Sequence, residues 1–338
     1  MSVRIAINGF GRVGRSIVRA CLGHSDIEIV AVNTRAEADT LIHLLKYDSV
    51  HGTIKADVSS KAGALIVNGK EIKVTNVTSN LADLPWKALG ADIVMESTGN
   101  FRNRDQCAPH LSAGAKKVII TAPGKGVDAT FCMGVNEDSY DPGRHHIVSN
   151  ASCTTNCLAP VVKVLHDNFS VLRGLMTTVH SYTMDQRLLD GSHNDLRRAR
   201  AAALSIIPTT TGAARTVAEV IPDLKGKLDG IALRVPTPNV SLVDFVAELG
   251  RNVTLPEVNG ALKAASENQL KGIMAFCEEE LVSIDFTSSP YSAIVDAPLT
   301  SVHGGNWVKV FAWYDNEIGY ACRMRDLAVY MAGKGLKG

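Results

Sequence analysis

Val3-Arg4-Ile5-Ala6-Ile7-Asn8-Gly9-Phe10-Gly11-Arg12-Val13-Gly14 decides how this chain folds. The β-branched run Val3–Ile7 predicts a strand, and it leads directly into Gly-x-Gly-x-x-Gly at 9, 11 and 14. Beyond it, Val13–Leu22 reads as a helix. Glycines recur by chance, so the strand before and the helix after are what give the pattern meaning. Gly9 permits the tight turn, Gly11 lets backbone approach a pyrophosphate, and Gly14 lets helix pack on strand. The pyrophosphate would lie at the helix start, near the amides of Arg12 and Val13. The alternative is a strand–turn–helix with no ligand.

Outward from this turn, short β-branched runs alternate with helical stretches over residues 1–150. Ile27–Val32, Ile93–Met95, Lys117–Thr121 and Ile147–Val148 are further strand candidates, and Ala38–Tyr47 and Arg104–Ala113 further helices. Such alternation predicts an α/β, doubly wound parallel sheet. After residue 150 the pattern changes. Gly174–Tyr182, Ile231–Val235, Val240–Leu249, Leu281–Phe286, Ser292–Asp296 and Trp307–Trp313 read as longer strands. These predict an α+β domain with a mostly antiparallel sheet over 151–315. Thr254 with Glu257 has capping-box spacing and predicts a helix start. Asp190–Ala203 reads as a long Arg-rich loop, and Ile318–Met331 as a closing helix.

A chain of 338 residues with 46% hydrophobic and 20% charged residues has the composition of a two-domain globular protein. Its net charge of +1 argues against nucleic acid or an acidic membrane as the main partner. No apolar run approaches membrane length, and the chain starts on a strand rather than a signal region. The seven cysteines are scattered, and no second pair completes a metal site with Cys153 and Cys157. They read as reduced thiols of a cytoplasmic protein, with no metal.

Ser149-Asn150-Ala151-Ser152-Cys153-Thr154-Thr155-Asn156-Cys157 carries the chemistry. It sets Cys153 among small hydroxyl residues at a loop-to-helix junction. Unpaired N–H groups and the positive dipole end favour thiolate there. Ser152, Thr154 and Thr155 could hold an oxyanion or phosphate beside it. The competing reading is a small buried cysteine, the common fate of free thiols and the preferred one for Cys157. Pro160, two turns in, should kink this helix.

Ordered motifs then identify a family. Ile7–Arg12, Ser149–Cys157, His180–Thr183, Leu196–Arg200, Thr209–Ala214, Arg234–Asn239 and Trp313–Glu317 follow one another as in phosphorylating glyceraldehyde-3-phosphate dehydrogenases, and the resemblance covers essentially the whole chain. It implies a homotetramer without membrane or nucleic-acid partners. A long loop, roughly Tyr182–Leu204, would reach a neighbouring subunit's cofactor. The C-terminal helix, 316–338, would return to the first domain. The resemblance makes Cys153 the nucleophile and His180 its base. It implies cofactor contacts at Asn8, Gly9, Gly11, Arg12, Val13, Thr34, Arg35, Ser97, Thr121 and Ser192, with Asn316 on the nicotinamide carboxamide. Thr183 and Arg234 would hold the triose phosphate. Ser152, Thr154, Thr211 and Gly212, with Arg198 reaching in from the loop, would hold inorganic phosphate.

Several positions depart from the family pattern. Thr34 and Arg35 follow the second strand where an aspartate is usual, and Gly191-Ser192 stand where strictly NAD-dependent members often carry Leu-Pro. A carboxylate would repel a 2′-phosphate; a serine hydroxyl could donate to one. Both changes point to NADP as an accepted cofactor alongside NAD. Ser79, in place of an adenosine-pocket arginine, weakens both. Met184 and Ile318 also replace commoner residues. Erythrose-4-phosphate dehydrogenase shares the scaffold, but Thr183, Thr211 and Pro238 resemble the triose enzyme. A dinucleotide-binding thiol sensor without turnover is the non-enzymatic alternative.

Overall fold

The computed structural model describes residues 2–336 and divides them into two compact units. One runs through Phe131, then Glu137–Ala151, and takes up the chain again from Ala321; the other holds Cys132–Asn136 and Ser152–Tyr320.

The first unit is built on a nine-stranded sheet. Its strands are β1 (Val3–Asn8), β2 (Ile27–Asn33), β3 (Val58–Lys61), β4 (Ala64–Val67), β5 (Lys70–Thr75), β6 (Ile93–Glu96), β7 (Lys117–Ile120), β8 (Ala129–Thr130) and β9 (Ile147–Ser149), in the order β8-β9-β7-β6-β1-β2-β5-β4-β3. From β8 to β5 every pair is parallel. Helices α1 (Arg12–Cys21) and α2 (Ala38–Lys46) follow the first two strands. This is the doubly wound α/β sheet the alternation predicts, and the strands are buried throughout their central lengths, as in parallel sheets. The antiparallel edge β5-β4-β3 is additional. Its cue lay in the sequence: Asn68 and Gly69 have φ of 49° and 75° and close a two-residue hairpin between β4 and β5. The expected helix 104–113 is interrupted. Arg104–Cys107 and Pro109–Ser112 are separate short helices, because Pro109 has no N–H to continue the ladder.

The second unit begins with α3 (Cys153–Phe169), which contains Pro160 without ending there. Its seven-stranded sheet comprises β10 (Val171–Ser181), β11 (Ile207–Thr210), β12 (Leu228–Val235), β13 (Ser241–Leu249), β14 (Met274–Cys277), β15 (Ala293–His303) and β16 (Trp307–Tyr314), ordered β11-β12-β10-β13-β16-β15-β14. Most pairs are antiparallel, but β10 with β12 and β14 with β15 run parallel. Along β13 buried and half-buried residues alternate, so one face of the sheet forms the core. Helices α4 (Ala213–Val220) and α5 (Leu255–Glu267) pack against α3. The cap of α5 is the predicted box: Thr254 donates its amide to Glu257 at 2.7 Å, and Glu257 returns its own to Thr254 Oγ1 at 3.4 Å.

Leu281–Phe286 is a correction. It is not a strand; Ser283–Phe286 forms a short 3-10 turn. Asp285 accepts the amide of Val282 at 2.9 Å, and Phe286 stacks on Trp313 while Val282 and Ile284 stay exposed. One buried side chain among several exposed ones does not make a strand face. Residues 190–203 are irregular, as expected, and helix α6 (Ile318–Lys334) closes the chain.

Candidate active site

In the first unit the three glycines have three different reasons. Gly9 sits at φ 95°, and a Cβ there would lie 2.6 Å from the Thr98 nitrogen. A Cβ on Gly14 would lie 2.3 Å from the Gly9 carbonyl oxygen. These two serve internal packing. Gly11 does not: a Cβ there meets nothing within 4 Å. It caps α1 without a side-chain hydrogen bond. A pyrophosphate suits such a place, where backbone is open to approach and helix amides point outward. Ser97 lies beside this turn, its amide donating to the Asn8 carbonyl at 2.7 Å and its Oγ buried without a hydrogen-bond partner. Thr121 donates both amide and hydroxyl to the Glu96 carbonyl, each at 3.0 Å. Thr34, past the end of β2, donates its amide to Thr75, and Arg35 beside it is exposed.

Asn8 turns its side chain into the fold. Its side chain does not face outward toward a ligand; it is buried, donating to Glu96 Oε2 at 2.6 Å and accepting from Asn33 at 2.8 Å. It shapes the turn. Glu96 was not singled out in the sequence, yet it organises this end of the sheet. Oε1 accepts the amide and hydroxyl of Thr98, at 2.8 and 2.5 Å, and His110 Nε2 lies 3.1 Å from Oε2. Trp86 Nε1 can only donate, so its 3.0 Å bond to His110 Nδ1 puts the imidazole proton on Nε2, facing Glu96. No local pattern marks a lone acid at a strand end; only the fold shows its partners.

In the second unit α3 starts at Cys153, with the Ser152 hydroxyl accepting the Thr155 amide at 3.0 Å. Cys153 Sγ lies 3.5 Å from Nε2 of the buried His180, near the end of β10. The parallel register of β10 and β12 sets His180 opposite Arg234. Arg234 Nη1 is 2.7 Å from His180 Nδ1 and donates to the Ser181 carbonyl at 3.0 Å; Nδ1 is also 2.7 Å from that carbonyl.

Burial, and then the neighbouring guanidinium, pull the His180 imidazole down to about 3. It is a neutral base. Burial pushes the Cys153 thiol up, opposed by the charge of Arg234 and by the hydroxyl and amide of Thr154. The sulfur faces an uncharged imidazole, and Arg234 supplies the cation. Thr154 Oγ1 is 2.9 Å from the buried Tyr314 hydroxyl, which lies 2.9 Å from Thr178. Cys157 is fully buried, its thiol pushed well above the usual range, and its sulfur faces the Ala312 carbonyl at 3.6 Å. That is a structural cysteine.

The anion-binding candidates occupy this same unit. Thr183 donates its hydroxyl to Asp185. Arg198 pairs with Asp185 at 2.5 Å and donates from Nε to Thr209 at 2.9 Å. Arg234 Nε is buried without a partner. The Thr211 hydroxyl accepts the Ala213 amide at 3.2 Å, and the exposed Gly212 caps α4. Ser192, exposed in the loop, accepts Arg187 through its carbonyl. Asn316 Oδ1 accepts the hydroxyls of Ser181 and Ser241, both at 2.8 Å, which fixes its amide. Asp185 was missed in the sequence, although it stands only two residues beyond Thr183.

A glycine turn between strand and helix in one unit, and in the other a thiol 3.5 Å from an imidazole that also contacts Arg234, are features of the nicotinamide-linked oxidoreductase class. Residues 152–316 match the model for the C-terminal domain of glyceraldehyde 3-phosphate dehydrogenase, and 3–104 match its NAD binding domain. The glyceraldehyde-3-phosphate dehydrogenase of Geobacillus stearothermophilus is 61% identical over 336 residues, covering 99% of this chain and 100% of that protein. Glyceraldehyde-3-phosphate dehydrogenase 1 of Bacillus cereus is 57% identical, with 98% and 99% covered. The chain belongs to the glyceraldehyde-3-phosphate dehydrogenase family. Among the described residues no helix is long and apolar enough to cross a membrane.

Gly11→Ala and Gly14→Ala should separate ligand contact from packing. The first leaves the melting temperature unchanged and weakens dinucleotide binding by about tenfold or more, equivalent to ~1.4 kcal/mol. The second lowers the melting temperature through overpacking of about 1–3 kcal/mol. Calorimetric titration and thermal melts on both variants measure this; equal behaviour would contradict the separate roles.

Proposed function

We propose that this protein catalyses the reversible phosphorylating oxidation of glyceraldehyde 3-phosphate to 1,3-bisphosphoglycerate. The observation that carries the reading is Cys153 Sγ at 3.5 Å from a neutral His180, with Arg234 bonded to the same ring. Thr183 and Arg234 hold the substrate phosphate. Ser152, Thr154, Thr211, Gly212 and Arg198 hold the incoming phosphate. Arginine forks and hydroxyl donors suit phosphate oxygens.

With Arg234 turned to the substrate phosphate, Nδ1–H donates to the Ser181 carbonyl and the Nε2 lone pair faces the sulfur. Nε2 takes the thiol proton, the sulfur attacks the aldehyde carbon, and the proton returns to the new alkoxide, giving a hemithioacetal. Nε2 then withdraws the hydroxyl proton as hydride leaves that carbon, and a thioester results. The dinucleotide, when bound, supplies the nicotinamide ring that takes up this hydride. Asn316, held through Oδ1 by Ser181 and Ser241, would offer its Nδ2 to the carboxamide of a bound ring. A phosphate oxygen attacks the thioester carbon, the C–S bond breaks, and His180 returns a proton to the leaving sulfur. The acyl phosphate departs.

The 1–150 region with residues 316–338, of which 337 and 338 lie outside the described residues, serves as the dinucleotide domain, and 151–315 as the catalytic domain. Cofactor contacts come from Gly9, Gly11, Arg12, Val13, Ser97 and Thr121, and from Thr34, Arg35 and Ser192, which admit NADP as well as NAD. The enzyme works in the cytoplasm, where thiols stay reduced, and none of the seven cysteines is in a disulfide among the described residues. It assembles as a homotetramer. The loop residues Met184, Leu188, Leu189, Leu196, Leu204 and Ile206, each at least 67% exposed, support an apolar surface covered by other copies.

Three outcomes test these readings. Cys153→Ser should abolish phosphate-dependent dinucleotide reduction with glyceraldehyde 3-phosphate while dinucleotide affinity stays within about twofold; retained turnover would remove Cys153 from the mechanism. Arg35→Glu should raise KM for NADP by about tenfold and leave that for NAD nearly unchanged, since it replaces attraction to the 2′-phosphate by repulsion. Equal effects on both cofactors would refute a role for Arg35 in admitting NADP. Light scattering at micromolar concentration should give a mass of four chains, and a monomer would remove the tetramer.

A further inference from the structure

The donors assigned to phosphate above converge on a carboxylate of the chain itself. The Thr183 hydroxyl has one proton, and it is donated to Asp185. Arg198 Nη1 pairs with the other oxygen of the same carboxylate at 2.5 Å. One residue from each phosphate set is thereby engaged by one side chain. Asp185 is 42% exposed on its side chain, so its carboxylate stays open to solvent while holding both donors. Arg198 also faces Asp195, whose carboxylate lies 3.6 Å from Nε and accepts the Thr209 hydroxyl at 3.0 Å. That second acid orients the guanidinium from the far side and leaves Nη1 to Asp185. Arg234 adds its positive charge to the surroundings of Asp185, while its buried Nε has no acceptor. The neighbourhood therefore has one donor still lacking an acceptor and two donors committed to a resident anion.

A carboxylate and a phosphate present the same kind of acceptor oxygen to arginine and hydroxyl donors. Resting on the phosphate-site reading above, we propose that Asp185 is a specificity-determining residue of that site: its carboxylate competes with phosphate oxygens for Thr183 and Arg198 and so sets how tightly phosphate groups are held. A phosphate that takes the Thr183 proton obliges the hydroxyl to rotate away from Asp185, and it then shares Arg198 with a like-charged neighbour. Like charges at such spacing repel, and the cost weakens binding of substrate, phosphate and acyl-phosphate product alike. Weak ground-state binding is compatible with fast turnover, because uniform tight binding lowers KM without raising kcat.

The test is Asp185→Asn in the dinucleotide-loaded enzyme, beside Asp185→Glu and Arg234→Leu. Inorganic phosphate binding is measured directly by calorimetry, and KM is measured separately for inorganic phosphate and for glyceraldehyde 3-phosphate. Asp185→Asn should tighten at least one of these constants by about tenfold, equivalent to ~1.4 kcal/mol, with an unchanged melting temperature. A change confined to inorganic phosphate assigns the competition to Arg198; one confined to the triose phosphate assigns it to Thr183. Asp185→Glu keeps the charge and should bind no tighter than the native protein. If Asp185→Asn leaves every constant unchanged or weaker, Asp185 merely positions Arg198 and the proposal falls. Tighter binding in Asp185→Glu would overturn it too, since charge would not be the cause. Arg234→Leu is the separate check on the site itself: if it leaves both phosphate constants unaltered, the phosphate-site reading fails independently of Asp185.

Discussion

The contact between Arg234 and His180 is the constraint on which the catalytic unit depends. It is a product of strand register: β10 and β12 run parallel, and their pairing puts the guanidinium-bearing residue directly opposite the imidazole. An arginine cannot give up its proton, so the ring beside it is discouraged from taking one. The same cation is the main influence favouring thiolate at Cys153 against its burial. One charge therefore lowers the basicity of the imidazole and raises the acidity of the thiol. A neutral imidazole presents an acceptor lone pair at Nε2 only when Nδ1 carries the proton and donates it to the Ser181 carbonyl, so Arg234 controls the tautomer as well as the charge of the ring.

In the other unit the comparable constraint is a buried acid. Glu96 accepts from Asn8, from both donors of Thr98, and from a histidine whose tautomer Trp86 imposes. These bonds tie the ends of β1 and β6 to the loops that follow them. Gly9 then packs against Thr98 too closely for any side chain. The open backbone at Gly11 is thus supported from beneath by polar groups that make no outward contact. A buried carboxylate with four neutral donors satisfies its oxygens without a counter-cation.

Arginines and carboxylates recur through the loop of the second unit, and their arrangement is more than surface decoration. Arg200 with Asp190, and Arg187 with the Ser192 carbonyl, close the irregular stretch onto itself. Arg198 differs because it is partly shielded, held between two acids and a threonine. Isolated exposed pairs contribute little, whereas a shielded guanidinium with several acceptors has a defined direction.

What could be read from the chain alone was local in sequence. The glycine spacing after a strand, the Thr254–Glu257 cap and the alternation along β13 each depend on residues within a few positions of one another. Their geometry follows from backbone periodicity and hydrogen-bonding reach, so these elements and the two-sheet architecture were legible. Cys153 and His180 were legible as residue types, and the family motifs supplied their pairing. The tertiary structure decided what arises between distant segments. His180 and Arg234 are 54 positions apart, and Glu96 lies 88 from Asn8. Only strand register brings such groups within hydrogen-bond distance. Leu281–Phe286 shows the same limit in reverse: its apolar content suggested a strand, but Asp285 and the stacking of Phe286 on Trp313 made a turn. Charge state belongs to the fold as well, because the protonation of a thiol or an imidazole depends on burial and on neighbouring charges that no linear order specifies.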